Sequence, residues 1–320
     1  MISQPLNLFY QILKSARPKQ WIKNVALFAP LVFSGFFFFN PEDGAAYFWV
    51  VSYAFVVFSV LTSSVYIIND IIDLEADRKH PYKRKRPIAS GKLPISAAVA
   101  AVITGLLAAA WLSIQLPVFF QLLLLGYLLL QIIYALKLKH IAILDVLSIA
   151  TGFLIRIYAG AVVVNLHMSV WFLLTVISAS LFLAVGKRQS ERTLLKETKL
   201  GKTRKTLSKY SPRLLDVYTG MFANATWLSY ASYAFQNTTS RVTPAHERFP
   251  QLYTNLPRAL QSQKLLMLTV PLVIFGVMRY LALVYEENKG ESPEMVLLRD
   301  KTLLSTVISF CILVMILIYF

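Results

Sequence analysis

Nine predominantly apolar stretches of 18 residues or more, joined by connections of which only two are long, run through this 320-residue chain. A run of that length is what a helix needs to cross the hydrocarbon of a bilayer. The predicted spans cover residues 21–39, 47–72, 95–115, 117–136, 141–164, 169–186, 214–235, 264–285 and 302–320. Hydrophobic residues make up 57% of the chain, more than a water-soluble domain of this size can keep out of water. Backbone polar groups inside lipid must be satisfied within the segment, so an all-α polytopic bundle of nine helices is expected.

Charge parity tests that count. Residues 1–23, 73–94, 137–140, 187–213 and 286–301 hold 26 of the 32 Lys and Arg residues and fall on one side if nine spans alternate. The opposite side carries Glu42, Asp43, an uncharged turn at 165–168, and Arg241, Arg248 and Arg258. Cytoplasmic loops attract the excess of cations, which puts the N-terminus inside and the C-terminus outside a bacterial plasma membrane. A net charge of +16 placed in interhelical segments, with no basic face of its own, argues against nucleic acid as partner. The single Cys311 excludes an intrachain disulfide. Leu6, Phe9, Tyr10 and Leu13 recur at helical spacing ahead of Lys14, Arg17 and Lys19, which predicts a helix within residues 1–20 lying on membrane lipid at the cytoplasmic leaflet.

The chain reads as one integral-membrane domain over 1–320, with 73–94, 137–140 and 187–213 as cytoplasmic loops around a site. The second apolar run ends in NDIIDLEADRKHPYKRKRPIASGKL at Asn69 to Leu93. Asp70, Asp73 and Asp77 fall at i, i+3 and i+7, so a continuing helix places them on one face where they repel. A divalent cation, Mg²⁺, relieves that repulsion, and Asn69 adds a fourth hard oxygen donor. Pairing with the adjacent Arg78, Lys79 and Lys83 alone would not require Asn69 and Asp70 inside the apolar boundary, where burial is costly. Arg78, His80, Lys83, Arg84 and Arg86 follow around Pro81 and Pro87 as candidate phosphate contacts. Tyr134, Lys137, Lys139 and His140 close the fourth span, and Asp145 enters the fifth, an intramembrane carboxylate that is a site candidate by default. Arg156 lies eleven residues further on, three helical turns away, so each of the two needs its own partner. Lys187, Arg188 and Glu191 open the long basic loop.

NDxxDxxxD at the inner end of the second of nine helices resembles the UbiA superfamily of intramembrane prenyltransferases, over nearly the whole chain. RPKQWIKN at Arg17 to Asn24, which includes Lys23, DLEADRKHPYKRKRPIASG after the acids, LKLKHIAILDV at Leu136 to Val146, GKRQSE at Gly186 to Glu191, RYLALVY and SPEMVLLRDK resemble its phosphoribosyl-transferring branch. Ordinary members carry a second aspartate motif after the sixth helix; Lys187, Arg188 and Glu191 stand there instead, which favours a bare phosphate over a metal-bridged diphosphate.

The resemblance implies Mg²⁺-dependent transfer of a 5-phosphoribosyl group from phosphoribosyl diphosphate to a polyprenyl (decaprenyl-type) phosphate, with release of pyrophosphate. It implies Asn69, Asp70, Asp73 and Asp77 as metal ligands and Asp145 as a further catalytic carboxylate. Lys23, Asn69, Arg78, Lys83, Arg84, Tyr134, Lys137, Arg156, Lys187, Arg188 and Glu191 are the implied substrate contacts. A homo-oligomer is compatible with it. A prenyltransferase acting on an aromatic or lipid acceptor would need the second aspartate motif; a polyprenyl-lipid transporter would carry its charges near the midplane.

Overall fold

The computed structural model describes residues 4–79, 83–197, 210–237, 264–286 and 293–319, and these are helical with no strand among them. In chain order they form α1 (Gln4–Ala16), a 3₁₀ segment (Pro18–Phe28), α2 (Ala29–Ser34), α3 (Tyr47–Ile72), α4 (Leu74–Lys79), α5 (Ile95–Ser113), α6 (Val118–Leu136), α7 (Leu144–Val162), α8 (Val170–Glu197) and α9 (Pro212–Gln236). After a short 3₁₀ turn (Leu265–Thr269) come α10 (Val270–Tyr285), α11 (Pro293–Arg299) and α12 (Lys301–Tyr319).

Among the described residues seven helices are long and apolar enough to cross a membrane: α3, α5, α6, α7, the Val170–Arg192 part of α8, Leu265–Tyr285 and α12. Two of the nine expected spans do not join them. Residues 21–39 break into the 3₁₀ segment and the six-residue α2, which stops before Gly35 at φ +83°. Residues 214–235 do form a helix, the 25-residue α9, but Asp216, Asn224 and a buried row of Thr219, Thr226 and Ser229 make it too polar for that criterion. The expected loop at 187–213 is also displaced, because α8 runs on through Glu197; residues 198–209 lie outside the described set, as does His80.

The described residues divide into two compact units, one of residues 4–29 and 39–166, the other of 30–38 and the described residues from 167 onward. In the first unit α3 is the hub, packed by α1, the 3₁₀ segment, α5, α6 and α7. Three residues per turn bring Trp21, Asn24 and Leu27 into line along one edge of the 3₁₀ segment, which is why each meets a helix. Trp21 Nε1 donates to Ser63 Oγ at 2.9 Å, and Asn24 Nδ2 donates to Ser59 Oγ at 3.0 Å and Thr62 Oγ1 at 3.1 Å, all on α3. Leu27 lies against α7 so closely that a Cβ on Gly160 would meet its carbonyl oxygen at 1.9 Å. The segment begins from Arg17, whose backbone is left-handed at φ 53°.

In the second unit α8 packs along α9 and α10 against α12. Phe182, Ala223, Tyr280, Leu283, Val284, Val296 and Leu303 form its buried core. Tyr319 Oη donates to the carbonyls of Leu31 (3.0 Å) and Val32 (2.8 Å), which ties α12 to α2 where the following turn leaves those acceptors open.

Candidate functional site

Helix α3 stops at Ile72, yet the backbone keeps an α-helical register across the junction. Asp73 N–H donates to Asn69 C=O at 3.0 Å and Asp77 N–H to Asp73 C=O at 2.8 Å. Asn69, Asp73 and Asp77 therefore stack one turn apart, while Asp70 stands beside that line.

The acids are paired with cations, but not those expected. Asp70, 2% exposed, accepts from the Arg17 guanidinium and from Arg86 Nη1 at 3.0 Å. Arg86 Nη1 also reaches Asp77 Oδ2 at 2.5 Å, so one guanidinium spans two carboxylates. Asp73, with 35% of its side chain exposed, takes Lys139 Nζ at 2.5 Å. Three carboxylates thus meet Arg17, Arg86 and Lys139. Burial pulls the Arg17 guanidinium below its ordinary value, and the Asp70 charge opposes that pull; its ring contact with Tyr66, 5.3 Å to the centroid, shields it further.

Among the described residues no three His, Cys, Asp or Glu side chains lie together as a metal-ligand set; Asp70 is engaged by two arginines and Asp73 by Lys139. The donors present still fit magnesium, which takes one or two carboxylates and completes its shell with substrate phosphate and water. Asn69 Oδ1 is buried and has no hydrogen-bond partner among the described residues, an acceptor placed in register with Asp73 and Asp77.

The remaining candidates are distributed as follows. Arg78, Lys83, Arg84 and Lys137 are exposed, Lys23 and Tyr134 half-buried. Asp145 is buried in the first turn of α7, where its Oδ1 accepts from Val146 N–H at 2.9 Å. Arg156 is buried and donates to Asn24 Oδ1 (2.9 Å), Gly152 C=O (2.8 Å) and Tyr127 Oη (2.7 Å). Its guanidinium also lies over the rings of Tyr127, Phe153 and Phe58. In the second unit Lys187 is half-buried, while buried Arg188 pairs with Glu191 at 2.5 Å, one turn along α8. Arg279 of α10 is paired with Asp300 at 2.6 Å.

Sequence reasoning passed over Arg17 as a site residue, and it named Arg86 and Lys139 within their basic runs without singling them out. Arg86 and Lys139 were indistinguishable within their basic runs, since only the turn at Leu138–His140 decides that Lys139 and not Lys137 meets Asp73. Arg17 did carry a signal, because a residue before proline is kept out of the helical region and marks a bend.

Residues 26–203 match the profile of the UbiA prenyltransferase family. A decaprenyl-phosphate phosphoribosyltransferase of Mycolicibacterium smegmatis is 41% identical over 239 residues, 72% of each chain. The protein of that name from Corynebacterium glutamicum is 39% identical over 238 residues, 72% of this chain and 69% of its own. Among solved structures, a UbiA homolog from Archaeoglobus fulgidus bound to GPP and Mg²⁺ superposes with a TM-score of 0.65 at 16% identity, covering 96% of this chain and 99% of that one. The fold is shared with a UbiA homolog from Aeropyrum pernix K1 as well, at a TM-score of 0.54 and 12% identity over 97% of each chain. With its apolar helices and its acid-bearing α3 end, this chain belongs to the UbiA prenyltransferase family of membrane transferases.

Proposed function

We propose that the chain transfers a 5-phosphoribosyl group from phosphoribosyl diphosphate to a polyprenyl phosphate of the decaprenyl type. The observation that carries this reading is the line Asn69, Asp73, Asp77 interleaved with Arg17, Arg86 and Lys139. Phosphate chemistry needs hard oxygen donors for a divalent cation beside fixed positive charge for the anion, and this cluster supplies both. The names of the relatives at about 40% identity support the choice of donor and acceptor. So does the presence of Lys187 and Arg188 where the family's second aspartate motif would stand.

Asn69, Asp73 and Asp77 would hold the cation, which is Mg²⁺ in this reading, and that ion supplies charge neutralisation for the departing diphosphate. Asp70 has another role: it holds Arg17 and Arg86 at the mouth of the site. When the donor binds, Lys139 and Arg86 exchange their carboxylates for phosphate oxygens, so the positive charge is already in place and need not be gathered. The acceptor phosphate oxygen forms its bond to the anomeric carbon as the bond from that carbon to pyrophosphate breaks, and the electron pair leaves with pyrophosphate. An anionic nucleophile of this kind needs no strong base, so alignment and charge screening carry the rate. Asp145 is assigned to the developing charge on ribose, Lys187 and Arg188 to a phosphate. The cluster faces the cytoplasm of a bacterial plasma membrane.

Purified protein in proteoliposomes, given labelled phosphoribosyl diphosphate and polyprenyl phosphate with Mg²⁺, should release pyrophosphate and label the lipid. Release from a prenyl diphosphate and an aromatic acceptor instead would overturn the reading in favour of prenyl transfer. Lipid movement without pyrophosphate release would overturn it in favour of transport.

A further inference from the structure

Helix α1 is amphipathic with its polar stripe turned inward. Phe9 and Tyr10 are 61% and 59% exposed, whereas Gln11 and Ser15 are 8% and 1% exposed. An apolar outer face suits a helix lying in lipid; the buried polar stripe is not explained by that. Packing gives no reason for it either, since Ile12 already supplies the apolar contact, seated on the cluster around Ile67 with Ile68, Ile71 and Leu74.

Asn7, Gln11 and Ser15 follow at i, i+4 and i+8 along one side of α1. Gln11 Nε2 donates to Asn7 Oδ1 at 3.2 Å, which fixes the amide and leaves Oε1 as its remaining polar atom. Gln11 Oε1 and Ser15 Oγ are both buried and have no hydrogen-bond partner among the described residues. A buried polar atom left without a partner is destabilising, and such atoms in native proteins point to something that completes them. Ser15 stands two residues before Arg17, the cation that grips Asp70, so the stripe leads into the acid and cation cluster of the same unit.

The chemistry of the missing partner is narrow. A glutamine Oε1 only accepts, so the partner must donate. Ionised phosphate oxygens have no proton to give, and an isoprenoid tail has none. Ser15 Oγ can donate or accept, so Gln11 sets the limit: of the groups the two proposed substrates carry, only the hydroxyls of the sugar can donate to its Oε1.

We propose that Gln11 and Ser15 of α1 bind the 2- and 3-hydroxyls of the ribose in the donor, making this membrane-surface helix the specificity element for the sugar. The assignment rests on phosphoribosyl diphosphate being the donor. Gln11 and Ser15 take no part in the bond exchange; they set the affinity for a ribosyl over a deoxyribosyl donor.

The test compares wild type, Gln11→Met and Ser15→Ala in proteoliposomes, with phosphoribosyl diphosphate and its 2-deoxy and 3-deoxy analogues as alternative donors. Wild type should show a KM for at least one deoxy analogue raised by roughly ten- to a hundredfold, the effect of leaving built acceptors unpaired. Each variant should raise KM for the natural donor by a similar factor and bring the ratio between natural and deoxy donors toward one, with kcat little changed. Variants that keep the wild-type ratio overturn the proposal while the donor assignment stands. An absence of pyrophosphate release from phosphoribosyl diphosphate in wild type overturns the donor assignment itself. Should Gln11→Met fail to fold, as judged by its elution in detergent, Ser15→Ala against the same three donors decides alone. An effect of Ser15→Ala that follows vesicle headgroup, and is the same for all three donors, assigns the stripe to lipid hydroxyls and overturns the proposal.

Discussion

Two arginines of the first unit, Arg156 and Arg17, sit in opposite electrical surroundings. Arg156 is enclosed by neutral acceptors and aromatic faces, with no carboxylate among the described residues in ion-pair range. Arg17 shares Asp70 with Arg86, in a cluster where three cations meet three carboxylates at a half-exposed edge. The first arrangement can exchange nothing, because each neutral partner is itself locked: Asn24 to Ser59 and Thr62, Gly152 within the α7 backbone. The second can exchange the carboxylates on Arg86 and Lys139 for phosphate oxygens while Asp70 keeps its hold on Arg17. An arginine buried in a membrane protein is therefore a pin or a receptor according to whether its partners are neutral and fixed or anionic and replaceable.

The comparison breaks first at the acids. Asp73→Asn and Asp77→Asn should lower kcat by roughly 10²–10³ while leaving the elution profile in detergent unchanged; near wild-type turnover with saturating Mg²⁺ would end the metal assignment. Arg17→Ala and Arg86→Ala should come next, each lowering kcat/KM for the donor by about 10² and leaving buried Asp70 with one arginine of its two. A stability loss without a change in donor KM would move both arginines into the structural class with Arg156. Arg156→Met, by contrast, should cost about 2–4 kcal/mol of stability by orphaning Asn24 and Tyr127. Thermal unfolding in detergent measures it, and donor KM at low temperature should hold. Lys137→Ala should be the smallest effect, less than about threefold in kcat/KM, since an exposed lysine away from the paired acids is screened by water. A large loss there would show that the turn after α6 presents the wrong lysine.

Much of this was legible beforehand. Span lengths followed from hydropathy, and the acid motif announced both family and chemistry, because a carboxylate inside an apolar run has no cheap structural excuse. Two things were not legible. Residues 21–39 have the composition of a span, but the edge formed by Trp21, Asn24 and Leu27 only makes sense once Ser59, Thr62, Ser63 and Gly160 are known to be opposite. The identity of the paired cations was hidden for a similar reason: in KRKRP or KLKH the lysines and arginines all carry the same charge, and only the turn geometry selects Arg86 and Lys139. Long-range partners are invisible to a local pattern, as Arg17 and Asp70, 53 residues apart, demonstrate.

The left-handed backbone at Arg17 has one more consequence. An L residue other than glycine is held there at a penalty of roughly 1–2 kcal/mol, so the fold keeps a strained corner in order to keep a charge on it. Substituting alanine removes the charge and retains the corner's strain; substituting glycine removes both. The glycine enzyme should thus melt higher than the alanine one while being equally impaired, which separates what position 17 does for the architecture from what it does for the reaction.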